Sequence, residues 1–397
     1  MSGHAGQPLR IGVIGLGRAF TLMLPTFQRD ARVQLVAACD LVATATAQFS
    51  CDFGGQIYAT VDALCADPAV ELVYIASPHQ FHCQHVLAAA AAGKHVLLEK
   101  PMAISVDECT RMVDAMQAAN RVLIVGHSHS FDGPALLARE LIDRGEIGRV
   151  GMIHALNFTD FLYRFRRPEE LDTARGGGVV HSQAAHQVDV VRMLGGGVLS
   201  KVRAAAAQWD AARPTEGAYS ALFTFADGAF ASLSYSGYGH FDSDEWMGWS
   251  GELGVLKSAT DYGVARRRLS TVRQTVDEIA AKAARNYGGS AWQPATEVPT
   301  THQHFGPVLV SGERGDLRLT AEGVWVYGDH DRRFEAIPAP TVPRREVIDE
   351  LWSVLRDGMP ARHDGRWARA TTEASLAILA SSRAGNDIGL QWQVPWR

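Results

Sequence analysis

The first third of the chain alternates short apolar runs, rich in β-branched residues, with longer stretches of helical spacing. Residues 9–14, 33–39, 72–75, 95–98 and 122–125 are apolar on nearly every position, as strands covered on both faces of a parallel sheet must be. Between them, 21–29, 43–53, 81–92 and 106–119 repeat apolar residues at helical intervals, with Ser105 or Asp107 placed to cap the last. Strand–helix alternation requires right-handed crossovers, which predicts a doubly wound parallel sheet ending near Gly126.

Beyond Gly126 the rhythm changes. A helix over 134–144 precedes a long strand over 150–161, and a second helix over 182–194 follows Gly176-Gly177-Gly178. Strands are predicted at 198–208, 219–225 and 229–235, the last two joined by an Asp227-Gly228 hairpin turn. Further strands at 317–319 and 324–327 precede closing helices at 344–356 and 368–384, while 261–303 reads as an insertion carrying an Ala-rich helix at 277–286. Hairpins with helices to one side predict an α+β domain with a large, mostly antiparallel sheet. A length of 397 residues suits two domains, divided here as 1–126 and 127–397.

Composition narrows the function classes. A mild net charge of -5 excludes a general nucleic-acid binder, which needs a basic face. No apolar run reaches the ~18–20 residues of a membrane span, and the polar stretch from Met1 to Arg10 has no signal-like apolar core, so no membrane partner is expected. Five cysteines with no C-x-x-C pair fit reduced thiols in a cytoplasmic protein.

The run 9–14 leads straight into Gly15-Leu16-Gly17-Arg18-Ala19-Phe20 and then a helix. Such a glycine turn lets backbone N–H groups at the helix start take a pyrophosphate, as in the dinucleotide-binding Rossmann fold. Phe20 stands where a third glycine is usual. Asp40 ends the next strand, where a carboxylate binds a ribose 2′-hydroxyl and repels a 2′-phosphate, so the expected cofactor is NAD rather than NADP.

Two more segments sit at carboxyl ends of predicted strands, where open α/β sheets bind ligands: Ser77-Pro78-His79-Gln80-Phe81-His82 and Glu99-Lys100-Pro101. Together with the Gly176–Asp189 stretch, in which His186 and Asp189 fit a D-x-x-x-H-x-x-D pattern but Ser182 replaces its first Asp, they resemble the glucose–fructose oxidoreductase/inositol dehydrogenase/MocA family over essentially the whole chain. The resemblance implies a nicotinamide oxidoreductase acting on a small-molecule substrate and assembling as a homodimer or homotetramer. It implies that Lys100 contacts both the nicotinamide ribose and the reacting hydroxyl, with His186 as the acid/base. Ser77, Pro78, His79, His82, Glu99 and His129 become cofactor contacts beside the glycine turn, and His127, Ser182 and Gln183 join His186 as substrate contacts.

His127, His129, His181 and His186 could ligate a metal, but no Cys or carboxylate set with zinc spacing accompanies them, and none is expected. Arg164, Arg166 and Arg167 form either a solvated charged loop or a reader of anionic substrate carboxylates. Gly15 to Phe27 and the Gly126-His-Ser-His-Ser-Phe segment resemble the phthalate 4,5-cis-dihydrodiol dehydrogenase branch, which implies oxidation of a carboxylated ring diol to a catechol. The alternatives are a sugar or inositol dehydrogenase of the same family and a non-catalytic NAD-binding regulator.

Overall fold

The computed structural model describes residues 6–272, 277–294 and 299–397, so parts of the polar N-terminus and of the insertion lie outside the described residues. Contacts divide the chain into two compact units. The first holds β1 (Leu9–Ile14), β2 (Val33–Cys39), β3 (Gln56–Ile57), β4 (Leu72–Ile75), β5 (His95–Leu98) and β6 (Leu123–Val125). They pair in parallel in the order β3-β2-β1-β4-β5-β6, so the winding direction reverses between β1 and β4. A crevice at the carboxyl ends of those two strands is where a doubly wound sheet receives a dinucleotide. β4 is buried at every position, as a central strand covered on both faces should be.

The predicted strands and helices of this unit are all present. Ser105 caps helix Val106–Ala118 by accepting the Glu108 N–H, the first of the two candidates for that role. Patterning gave no sign of β3 or of helix Val61–Ala66, which are too short to show a period. The first unit runs through His127, close to the expected boundary, but it also recruits a segment beginning at Ala280 and Val342–Arg369, both of which fall within the expected second domain, 127–397. Contacts distant in sequence account for this. Arg356 pairs with both carboxylate oxygens of Glu71 at 2.6 and 2.9 Å, and helix Arg345–Arg356 buries Val347, Ile348 and Leu351. Tyr287 donates to Asp52 at 2.5 Å and sets its ring edge-on to Phe20.

The second unit is built on β7 (Val150–Phe158), β8 (Leu199–Ala207), β9 (Ala218–Phe225), β10 (Phe230–Ser236), β11 (Val308–Gly312), β12 (Asp316–Thr320), β13 (Gly323–Tyr327), β14 (Arg332–Ala336) and β15 (Ile388–Gly389). Their order is β14-β13-β12-β11-β7-β10-β9-β8-β15, and among the described residues only β7 and β10 pair in parallel. Burial alternates along β9 and β10, so one face is covered while Leu222, Phe230 and Leu309 stay exposed. Helices Gly133–Asp143 and Ala185–Leu194 pack on this sheet and carry its chemistry. No helix among the described residues is long and apolar enough to cross a membrane.

Candidate active site

In the first unit the glycine turn explains itself sterically. Gly15 has φ +91°, and a Cβ there would stand 2.7 Å from the backbone nitrogen of Ser77, so only glycine lets the turn pass the end of β4. Gly17 is different, because a Cβ there meets nothing within 4 Å. Gly17 is the N-cap of helix Arg18–Arg29, which has no side-chain cap and no acidic residue in its first turn. The helix thus offers its orphan N–H groups and positive dipole end to an anion, and the space above Gly17 fits a pyrophosphate. Asp40 accepts the N–H of Leu16 at 2.6 Å and of Val42 at 2.8 Å, which fixes its carboxylate at the mouth of the same turn. The residues present therefore fit NAD. Gly17→Val is expected to leave the unfolding temperature within about 2 °C while weakening NAD binding about 100-fold or more, read by nicotinamide fluorescence titration.

Other expected cofactor residues act as supports. Phe20 has no exposed surface and packs against Phe49 and Tyr287, so its side chain belongs to the core and a cofactor contact at this position would come from its backbone N–H at the helix start. His82 is buried, with Nε2 2.9 Å from the Ser77 carbonyl and Nδ1 3.0 Å from that of Pro101. Burial holds its pKa at about 4, so the ring is neutral and its single N–H donates to one of these two carbonyls. Ser77 Oγ lies 2.9 Å from His85 Nδ1, and the next residues, Pro78 and His79, lead into a short turn. Glu99 turns inward to accept the Tyr74 hydroxyl at 2.6 Å, and burial raises its pKa. Lys100, the next residue, is half-buried at the carboxyl end of β5.

The second unit gathers the histidines. Gly178, at φ +86°, leaves room for the Glu216 carboxylate, which a Cβ there would overlap. That carboxylate accepts the Val180 N–H at 3.1 Å and hydroxyls of Thr173 and Thr215, so it caps the π-helical turn Val180–Ala184. Helix Ala185–Leu194 follows directly and presents His186. Ser182 spends its hydroxyl on the Gly178 carbonyl at 2.5 Å, and Gln183 donates to the Ser182 carbonyl. His127 is buried at the end of the first unit. Past Val125 the extended course gives way to a 3-10 turn, His129–Phe131.

The His129 ring meets the His186 ring edge to face, with centroids 4.6 Å apart, and Phe305 packs on both at 5.2 and 5.0 Å. Asp132 Oδ2 lies 2.6 Å from His129 Nδ1, and Glu252 Oε1 lies 3.8 Å from its Nε2. Burial opposes a charge on His129, but the two carboxylates outweigh it and raise its pKa. One ligand atom from each of His129, His186 and Glu252 falls within 4.8 Å of the others, so the expectation of no metal meets a donor set that could hold a cation. Neither Glu252 nor Asp132 carried a sequence signal. Glu252 sits in a turn flanked by the Ser250–Leu256 bridge, and its place depends on the fold of the whole sheet.

The three arginines part company. Arg164, half-exposed, lies 3.6 Å from Glu252 and so borders the histidine cluster. Arg166 stacks on the Phe161 ring at 3.8 Å and donates to the Phe161 carbonyl, and burial brings its pKa down to about 10. Arg167 pairs with Glu169 and Glu170 on its own turn.

Comparison with known proteins bears on both units. Residues 9–127 match the model described as "Oxidoreductase family, NAD-binding Rossmann fold", and residues 135–257 match the GFO/IDH/MocA C-terminal domain. The chain is 47% identical over 377 residues, 94% of its length and 95% of the relative's, to 1-carboxy-3-chloro-3,4-dihydroxycyclohexa-1,5-diene dehydrogenase of Comamonas testosteroni. It is 30% identical over 196 residues, 49% of its length and 57% of the relative's, to myo-inositol 2-dehydrogenase of Thermotoga maritima. A solved protein of Bordetella bronchiseptica RB50 shares its fold at TM-score 0.90 and 40% identity, over 97% of this chain and 100% of that one. Two domain matches in order, and a relative aligned almost end to end, show that the chain belongs to the Gfo/Idh/MocA family of NAD-dependent oxidoreductases.

Proposed function

We propose that this oxidoreductase oxidises one hydroxyl of a carboxylated ring cis-dihydrodiol, with the phthalate 4,5-dihydrodiol as the type of substrate and its catechol as the product. The observation that carries the reading is the 47% identity, over nearly the full length, to a dehydrogenase whose name specifies a carboxylated, dihydroxylated cyclohexadiene. Arg164 at the border of the histidine cluster supports it, because a guanidinium recognises a carboxylate in a way that a polyol does not require.

NAD, when bound, supplies the hydride acceptor. The carbinol would give up its hydride to the bound nicotinamide while the imidazole of His186 takes the hydroxyl proton, which would leave a ring ketone. Lys100 orients the hydroxyl and favours the charge that develops on its oxygen. The ketone then tautomerises to the aromatic diol, which draws the reaction forward. The protein's share is to align the carbinol, to exclude water around a His186 that is only 5% exposed, and to hold the proton.

Reduced-nicotinamide absorbance, followed with NAD and a panel of substrates, tests the reading. A carboxylated cis-dihydrodiol should show kcat/KM about 100-fold or more above myo-inositol or glucose, and Arg164→Ala should raise KM for the diol about tenfold. Equal turnover of the polyols, or binding of NAD with no turnover of any diol, defeats it.

A further inference from the structure

When His186 takes a proton it becomes a cation in a nearly closed site, and a buried cation needs a counter-charge. Ser182, one turn earlier, is neutral and turned back to the Gly178 carbonyl. Asp189, one turn later, accepts hydroxyls from Ser128, Ser130 and Thr371. A carboxylate converges on His186 from the turn at Glu252, one of its oxygens lying within 4.8 Å of one of the His186 ring nitrogens.

The surroundings hold Glu252 there from two sides. Arg164 lies 3.6 Å from Oε2, and His129 directs Nε2 at Oε1 from 3.8 Å. Asp132, at 2.6 Å from Nδ1, fixes the His129 ring, because a carboxylate can only accept from that nitrogen. Phe305 packs on both imidazoles and keeps the local dielectric low, which strengthens the attraction between a carboxylate and an imidazolium.

We propose that Glu252 is the electrostatic partner of His186, held in position by the Asp132–His129 pair and by Arg164. It is a positioning residue that acts through His186. This rests on the reading of His186 as the proton acceptor, and it explains how a serine at position 182 is compatible with that role.

Steady-state kinetics with NAD and a carboxylated cis-dihydrodiol decide the matter for wild type, Glu252→Gln, Glu252→Asp, His186→Ala and the double variant Glu252→Gln/Ser182→Asp. Glu252→Gln should lower kcat about 100-fold with both KM values within about threefold, and Glu252→Asp should keep most of the rate. Adding Ser182→Asp should restore kcat at least about tenfold, because position 182 lies one turn from His186 on the same helical face. A rise in KM alone would make Glu252 only a holder of Arg164 and overturn the proposal. So would one equivalent of divalent metal in the purified protein that is lost in His129→Ala, since the three side chains would then be ligands. Wild-type rates in Glu252→Gln beside an inactive His186→Ala remove this inference alone, whereas an active His186→Ala removes the reading beneath it as well.

Discussion

Lys100→Ala is expected to lower kcat for diol oxidation by about 10³-fold while NAD affinity changes by less than about tenfold. The basis is positional. Lys100 is half-buried at the carboxyl end of β5, next to a Glu99 whose carboxylate is engaged by Tyr74 and followed by a Pro101 whose carbonyl is held by His82. Both neighbours are fixed by buried contacts, so the backbone on either side of Lys100 is set before any substrate arrives. An ammonium held that way gains most as negative charge develops on the hydroxyl oxygen, which places its contribution in the transition state and hence in kcat. On the proposed reading the Gly17 turn would take the dinucleotide's phosphates and Asp40 a ribose, so binding should largely survive. Lys100→Arg should recover little, because a longer, planar guanidinium differs from a compact ammonium in shape and reach. Stopped-flow formation of reduced nicotinamide, with NAD affinity measured on the same samples, checks both halves. An alanine variant within tenfold of wild-type kcat would remove Lys100 from the chemistry.

The cofactor site was legible because its parts are contiguous in sequence. A strand, a glycine turn and a helix follow one another, and Asp40 closes the next strand, so short-range pattern alone brings Gly15, Gly17 and Asp40 to one mouth. The place of Lys100 in the fold was legible for the same reason, as the second residue after a buried strand. The burial of the Phe20 side chain was not legible, because it packs on Tyr287, more than two hundred residues further along the chain. Glu252 could not be read at all. It meets His129 and His186 from a turn more than sixty residues further along the chain than His186, and no periodicity records such a meeting. The same holds for Val342–Arg369, whose return to the first unit turns on the pairing of Arg356 with Glu71. The sheet of the second unit was recognisable from its hairpins, yet β11, β14 and β15 were not, since β11 ends in Ser311-Gly312, β14 is mostly polar and β15 has two residues.

Asp189→Ala is expected to destabilise the second unit by about 3–5 kcal/mol, a far larger effect than its distance from the proton-transfer step suggests. Asp189 is 4% exposed and accepts hydroxyls from Ser128 and Ser130, on either side of His129, and from Thr371 at 2.6 Å. One turn further on, Arg192 has no exposed surface, and its contacts with Thr371 Oγ1, Gln393 Oε1 and the Val394 carbonyl are all with neutral atoms. Burial lowers the Arg192 pKa, and the charges of Asp189 and Glu373 work against that loss. Removing Asp189 therefore leaves a buried guanidinium short of one of its counter-charges, which costs more than the hydrogen bonds alone. For a unit of this size the unfolding transition should fall by about 10 °C in calorimetry. Asp189→Asn, which keeps an acceptor but not the charge, should fall between the two. In an Arg192→Met background the cost of Asp189→Ala should shrink by half or more, because the charge that needed compensation is gone. If Asp189→Ala costs the same with or without Arg192, the loss comes from the serine and threonine hydroxyls instead. The network would then be a clamp holding the His129 turn against the His186 helix, and activity would fall in step with stability.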